Sequence, residues 1–166
     1  MIIREETSGD IPEIGRVVTE AMLLLPQATG TEATIVEKLR AARALTLSLV
    51  AEEHGKVIGY LAASAARIGD QDRWGLIGPL VVVPSRHRQG IGSALMKEAL
   101  RRLRKTERGA ALVGNPGYYG RFGFRSFTGL RIAGIPQEFV LALPFCGDEP
   151  HGVLFHHPAF GLKQEV

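Results

Sequence analysis

A length of 166 residues is the size of one ordinary domain. Hydrophobic residues make up 45% and charged residues 22%, which allows a packed core without disulfides, and the lone cysteine, Cys146, excludes an intramolecular one. The net charge of +3 and pI near 9.3 mean little in themselves, but the clustering of Arg86, Arg88, Lys97, Arg101, Arg102, Arg104, Lys105 and Arg108 in one short segment suggests a polyanionic partner, and every apolar run is strand-sized, too short to cross a bilayer.

The opening Met1-Ile2-Ile3-Arg4-Glu5-Glu6 lacks the basic-then-apolar order of a signal peptide, so a cytoplasmic protein with no membrane partner is expected. Ile2-Ile3-Arg4 reads as a short strand. Asp10 and Pro12 form an N-cap and first turn, and Ile11, Ile14, Val17, Val18 and Met22 recur at helical spacing until Pro26 ends the segment. Thr31 or Thr34 caps a second helix running to about Ala44. Leu45 to Glu52 and Lys56 to Ala65 are strands joined by Glu53-His54-Gly55 as an antiparallel hairpin, followed by a polar loop, Gly69 to Arg73. Trp74 to Val83 reads as a strand whose apolar end, Leu80-Val81-Val82-Val83, suits burial on both faces.

Pro84 stops that strand, and after a basic loop the chain carries its strongest helix pattern, from Gly90 to Lys105. Ile91, Leu95, Ala99 and Leu103 form the apolar stripe, widened by Met96 and Leu100. Ala110 to Val113 is a short strand, Gly117 to Phe122 a brief helix ended by Gly123, and the apolar runs near 130–135 and 139–145 are late strands and loops. No repeat or linker interrupts the pattern, so a single mixed α/β domain over residues 1–166 is expected.

The functional inference rests on Pro84-Ser85-Arg86-His87-Arg88-Gln89-Gly90-Ile91-Gly92-Ser93, where a buried strand ends, a Gly-x-Gly loop turns and a long amphipathic helix begins. The first backbone N–H groups of a helix lack intrahelical partners and sit at the positive end of its dipole. Glycines let a phosphate approach that backbone, so the segment is built for an anion. A Walker loop is excluded because no Gly-Lys-Ser/Thr follows, and a Rossmann fingerprint is disfavoured because Leu95 stands where a third glycine or alanine belongs. What remains is the pattern Gln/Arg-x-x-Gly-x-Gly/Ala.

With Leu80-Val81-Val82-Val83-Pro84 ahead of it, that segment resembles the strand-loop-helix core of the GNAT acyl-CoA N-acetyltransferases. The first motif position is His87 rather than Gln or Arg, a change tolerable in a loop that works through main-chain amides. Downstream, Tyr119, Gly123 and Phe124 match that family's Tyr-x-x-x-Gly-Phe element, and the wording Tyr118-Tyr119-Gly120-Arg121-Phe122-Gly123-Phe124 is similar to a bacterial subgroup. The resemblance runs from residue 2 to about 145. It implies a mixed α/β (α+β) fold with a central, mostly antiparallel sheet flanked by helices.

The resemblance also implies a direct transfer of acetyl from acetyl-CoA to a primary amine of a small molecule or protein, without a metal. The amides of Arg88, Gln89, Gly90, Ile91, Gly92 and Ser93 would hold the pyrophosphate, and Leu80, Val81 and Val82 would pair with the pantetheine arm. Pro79 removes a ladder donor; either it marks a bulge, leaving the N–H of Leu80 to meet the developing oxyanion, or it merely begins the strand. Tyr119 takes the family position proposed to protonate the leaving thiolate, against the alternative of a packed aromatic. A tyrosine pKa near 10 against a thiol near 8.5 makes complete transfer uphill by about 2 kcal/mol, a modest cost.

No general base stands out among Glu52, Glu53, His54, Asp70 and Asp72. His151, His156 and His157 have no zinc-motif spacing and read as surface residues, and Cys146 as a small buried hydrophobe. Arg86 and Arg88 stand near enough to reach nucleotide phosphates. Two other readings compete: a catalytically silent coenzyme A sensor, and a nucleic-acid module using the basic helix, although no helix-turn-helix spacing or aromatic platform supports the latter. A homodimer through exposed strands or the C-terminal tail is compatible with the sequence, which does not establish it.

Overall fold

A computed structural model describes residues 1–25 and 30–160. The sheet strands are β1 (Ile2–Glu5), β2 (Leu45–Glu53), β3 (Lys56–Ile68), β4 (Gln71–Val82), β5 (Gly109–Val113), β6 (Leu130–Arg131), β7 (Val140–Pro144) and β8 (Gly152–Phe155). The helices are α1 (Ile11–Met22), α2 (Glu32–Ala41), α3 (Ile91–Leu103) and α4 (Pro116–Tyr119). The expected end of the first helical segment at Pro26 lies outside the described residues, as does the tail beyond 160. By its contacts the chain forms two compact units, Met1–Ala63 with Pro79–Ala99 and Ser64–Gly78 with Leu100–Val166.

In the first unit the strand order is β1-β2-β3-β4, with β1 antiparallel to β2. The α1 stripe Ile14, Val17, Val18 and Ala21 is buried with Val36 of α2 and with Val50, Val57, Tyr60, Ala62 and Val81 of the strands. Each of the valine and isoleucine side chains contributes about 1.5–3 kcal/mol when fully buried. Asp10 anchors the start of α1 more elaborately than a simple cap. Its carboxylate accepts from the Thr7 N–H at 2.7 Å and the Thr7 hydroxyl at 3.1 Å, and receives both arms of the Arg4 guanidinium from β1 at 2.7 and 3.0 Å.

A second polar cluster ties α2 to the strands. Glu6 accepts both Nε–H and Nη2–H of Arg40 at 2.8 Å and also the Ser48 hydroxyl, which lies 2.6 Å from the Tyr60 hydroxyl. Burial disfavours the Glu6 anion, yet the Arg40 fork and Ser48 prevail and hold its pKa below the usual carboxylate value. Burial pushes the Tyr60 phenol the other way, up to about 12.

In the second unit the order is β3-β4-β5-β7, with β8 on β3 and β6 on β8. The β3–β8 and β5–β7 pairs are antiparallel, and β4–β5 and β6–β8 are parallel. Trp74, Leu76, Ala111, Phe127, Leu130, Ile132, Val140 and Leu154 are buried together. Four arginines lie over aromatic rings here: Arg67 on Phe155, Arg104 on Phe145, Arg121 on Tyr118 and Arg125 on Phe127, at 4.3–4.6 Å from the ring centroids.

The expected mixed α/β architecture, an open multi-stranded sheet with helices, is the one observed. Several boundaries differ. The polar segment expected as a loop at 69–73 is mostly strand, since β3 reaches Ile68 and β4 begins at Gln71. Backbone pairing needs no apolar side chains, and Arg73 meets the strand with a left-handed φ of 59°. His156, expected on the surface, is only 5% exposed, and its ring stands edge-on to Phe160 at 5.8 Å. Cys146, expected buried, is exposed.

Candidate active site

In the first unit, β4 delivers Leu80, Val81 and Val82 to the loop with Val81 buried in the core and its neighbours half-buried. Pro79 lies well inside β4 and does not begin it. The parallel ladder from β4 to β5 spans only Trp74–Leu76 against Gly109–Ala111, and β4 runs on beyond it to Val82. That side of the strand therefore keeps main-chain groups outside the ladder from Ile77 onward. Val83 remains tied to β3 through its N–H, which donates to the Ile58 carbonyl at 2.9 Å.

After β4, Pro84–Arg86 makes one 3-10 turn, and His87 is extended (φ −64°, ψ 153°). Arg88 and Gly90 then take left-handed φ values of 62° and 80°. Such alternation of handedness turns successive N–H groups toward one concavity, a backbone nest. The Ala94 N–H donates to the Gly90 carbonyl at 3.0 Å and opens the α3 ladder, so the N–H groups of Ile91, Gly92 and Ser93 precede it. A Cβ on Gly90 would meet nothing within 4 Å, so its backbone conformation, not crowding, calls for glycine there. Nest and helix entrance together gather main-chain N–H groups that suit an anion.

Three contacts hold this loop. Gly59 of β3 lets α3 sit close, because an added Cβ would lie 3.0 Å from Leu95 Cδ1, 3.1 Å from Ile91 Cγ2 and 3.2 Å from the Val81 carbonyl. His87 Nε2 lies 2.9 Å from the Val82 carbonyl. Arg86 donates from Nε to Gln89 Oε1 at 2.8 Å and from Nη2 to Glu53 Oε2 at 2.6 Å. That hydrogen bond from Arg86 holds the Glu53 carboxyl below its usual range. Among the base candidates, Glu53 is thus engaged by Arg86 and Glu52 lies 3.5 Å from Arg4, while Asp72 lies 3.9 Å from both Arg73 and Arg108. The exposed His54 takes a left-handed φ at the hairpin turn.

A cavity of about 310 Å³ also belongs to this unit, lined by Thr19, Met22, Leu23, Leu25, Gly30, Glu32 and Ala33.

In the second unit, α4 begins at Asn115, whose Oδ1 accepts the Gly117 N–H at 2.8 Å and whose carbonyl accepts the Tyr119 N–H at 3.0 Å. A 3-10 turn follows and ends at Gly123 with φ 99°. The Tyr119 ring stands edge-on to Tyr118 (4.8 Å) and Phe124 (6.3 Å). Burial, with a smaller effect from Tyr118, raises the pKa of its hydroxyl. The ring also covers Gly114: a Cβ there would collide with Tyr119 Cε2 and lie 2.8 Å from Cδ2.

Residues 45–126 match the family model for an acetyltransferase (GNAT) domain. Across 96% of its length the chain is 40% identical to a GNAT family acetyltransferase from Brucella melitensis solved in complex with acetyl-CoA, covering 97% of that chain with a TM-score of 0.85. This chain belongs to the GNAT acetyltransferase family. This GNAT member is accordingly an acyltransferase. It is also similar to YhbS from Escherichia coli, solved in complex with CoA (28% identity, 96% of this chain, 91% of that one, TM-score 0.87). A ribosomal-protein-alanine N-acetyltransferase from Brucella melitensis shares its fold (19% identity, 86% and 96% coverage, TM-score 0.62). No curated protein matches the chain. Among the described residues, no helix of this GNAT acetyltransferase is long and apolar enough to cross a membrane.

Sequence reasoning missed Glu53 as a partner of the loop, and Gly59 and Gly114 as close-approach positions. The glycines were visible only as strand and loop residues, with nothing to say which side chains would lie over them.

Proposed function

We propose that residues 1–166 act as a single N-acetyltransferase domain that moves an acetyl group from acetyl-CoA directly to a primary amine of a small molecule or protein. The observation that carries this reading is the pair of left-handed residues, Arg88 and Gly90, immediately before a 13-residue helix. The 40% identity to a relative solved with acetyl-CoA supports the choice of co-substrate.

In this reading the amides of Arg88, Gln89, Gly90, Ile91, Gly92 and Ser93 hold the diphosphate, and the backbone of Leu80, Val81 and Val82 pairs with the pantetheine arm. The N–H of Leu80 donates to the thioester oxygen as charge develops on it. The N–C bond forms, the C–S bond breaks, Tyr119 supplies the proton that leaves with the thiol, and water removes the proton shed by the amine. Burial raises the Tyr119 pKa and makes it a weaker acid, and a thiolate expelled into the same dry surroundings is more basic than in water, which offsets that cost. The single thiol, Cys146, is exposed and stays reduced in the cytoplasm, where we place the protein.

The test is titration of acetyl-CoA into the full chain and its Gly90→Val variant, with thioester consumption measured over a panel of amines. A β-branched residue at φ 80° disturbs the nest, and acetyl-CoA binding should weaken at least tenfold. Undiminished binding in a folded variant would remove the basis of the reading. Binding without consumption by any amine would favour the silent sensor, and thermal stabilisation by duplex DNA but not by acetyl-CoA would favour the nucleic-acid module.

A further inference from the structure

The left-handed Arg88 is a strained feature in search of a support. A non-glycine residue in that conformation persists only where its surroundings over-determine it. Both residues beside Arg88 have tethered side chains: His87 reaches back to the Val82 carbonyl, and Gln89 is held by Arg86, which is itself held by Glu53. Glu53 ends β2 and stands 33 residues away in sequence, so it joins the loop to the β2–β3 hairpin.

We propose that Glu53, acting through the Arg86 guanidinium, is a positioning residue that sets the loop's main-chain N–H groups for the diphosphate of coenzyme A. This rests on the coenzyme reading above and assigns Arg86 a different task from direct phosphate contact. The geometry needs a guanidinium. Nε serves Gln89 while Nη2 serves Glu53, a fork that a lysine ammonium does not reproduce.

Electrostatics alone demands the opposite sign for one substitution. A carboxylate beside a polyanion's site repels the ligand, so Glu53→Gln should tighten binding if Glu53 only contributes charge, and should tighten it further if Arg86 is thereby freed to reach a phosphate. As a positioning residue, Glu53 makes the same change weaken binding.

The experiment is calorimetric titration of coenzyme A into the wild-type chain and its Glu53→Gln, Arg86→Lys and Gly90→Val variants. Thermal unfolding of each free protein and, with an amine from the panel, kcat and KM for acetyl-CoA complete the set. Glu53→Gln should raise the Kd about fivefold, the upper range for a half-exposed ion pair. Arg86→Lys should do the same although it keeps the positive charge, and in both the loss should fall on KM with kcat within about twofold. An unchanged or lower Kd in Glu53→Gln overturns the proposal, as does a weaker Kd there with wild-type affinity in Arg86→Lys. Should Glu53→Gln not fold, Arg86→Lys alone decides. If Gly90→Val weakens binding while Glu53→Gln and Arg86→Lys do not, only the positioning role falls; if Gly90→Val also binds normally, the coenzyme reading falls with it.

Discussion

Replacing Gly114 by alanine tests the role of Tyr119 without touching its hydroxyl. The new methyl carbon would lie 2.8 Å from Tyr119 Cδ2 and 3.3 Å from Leu112 Cδ1. Ordinary carbon contacts are about 3.5–4.0 Å, so the ring must retreat by about 1 Å. Gly114 itself yields less readily, because its N–H donates to the Phe139 carbonyl at 2.9 Å. Its φ is not left-handed, so alanine adds no backbone strain. Overpacking of this kind costs about 1–3 kcal/mol of stability, which thermal unfolding measures directly. A catalytic group misplaced by about 1 Å can lose about 100-fold in rate, so kcat for thioester consumption should fall steeply while acetyl-CoA binding changes little. The decisive comparison is with Tyr119→Phe. If the alanine acts only by moving the phenol, Gly114→Ala in the Tyr119→Phe background should lower kcat no further. A Gly114→Ala protein with normal kcat, or one whose defect multiplies that of Tyr119→Phe, would refute the assignment of Tyr119 as proton donor.

Three further outcomes are expected. The Asp10 carboxyl is held well below its usual range by the Arg4 guanidinium, so its contribution to stability is intact above an unfolded pKa of about 3.9 and is lost as pH falls toward the folded value. Asp10→Asn should be less stable at neutral pH and lose less on acidification; an acid limb parallel to wild type in urea melts would contradict this. Tyr60 stays protonated to about 12 when folded and ionises near 10 when unfolded, so stability should decline between those pH values; Tyr60→Phe should shrink that decline, leaving the share of Tyr119, whose phenol burial also raises. A decline of undiminished size in urea midpoints of Tyr60→Phe would assign it to other groups. Gly59→Ala pushes Leu95 and Ile91 away from β3; it should destabilise by about 1–3 kcal/mol and weaken coenzyme A binding together, and a loss of stability with unchanged affinity would show that the loop does not depend on how α3 is seated.

The helix α3 and its loop were legible because they depend on local rules: a stripe at helical spacing, a stop at Pro84 and two glycines at a helix entrance. The brief α4 with its left-handed Gly123 was legible for the same reason. The supports were not. The Glu53–Arg86 contact joins residues remote in sequence, and Glu53 on its own looked like any acid at a hairpin. Gly59 and Gly114 matter because of what packs over them, and Gly-x in a strand carries no record of its neighbour. The start of β4 was obscured by three polar residues, Gln71, Asp72 and Arg73, that belong to the strand, and His156 by its contact with Phe160, four residues further on.

The arginine-over-ring stacks of the second unit alter the meaning of the basic pI. Arg67, Arg104, Arg121 and Arg125 spread flat guanidinium planes and hydrocarbon stems across Phe155, Phe145, Tyr118 and Phe127. These cations serve as lids that keep greasy faces wetted on one side and dry on the other. Lysine could lay its stem along the same rings but has no planar head to stack on them. Part of what the composition shows as surplus charge is therefore insulation, and a relative that discards those aromatics would be free to discard the arginines with them.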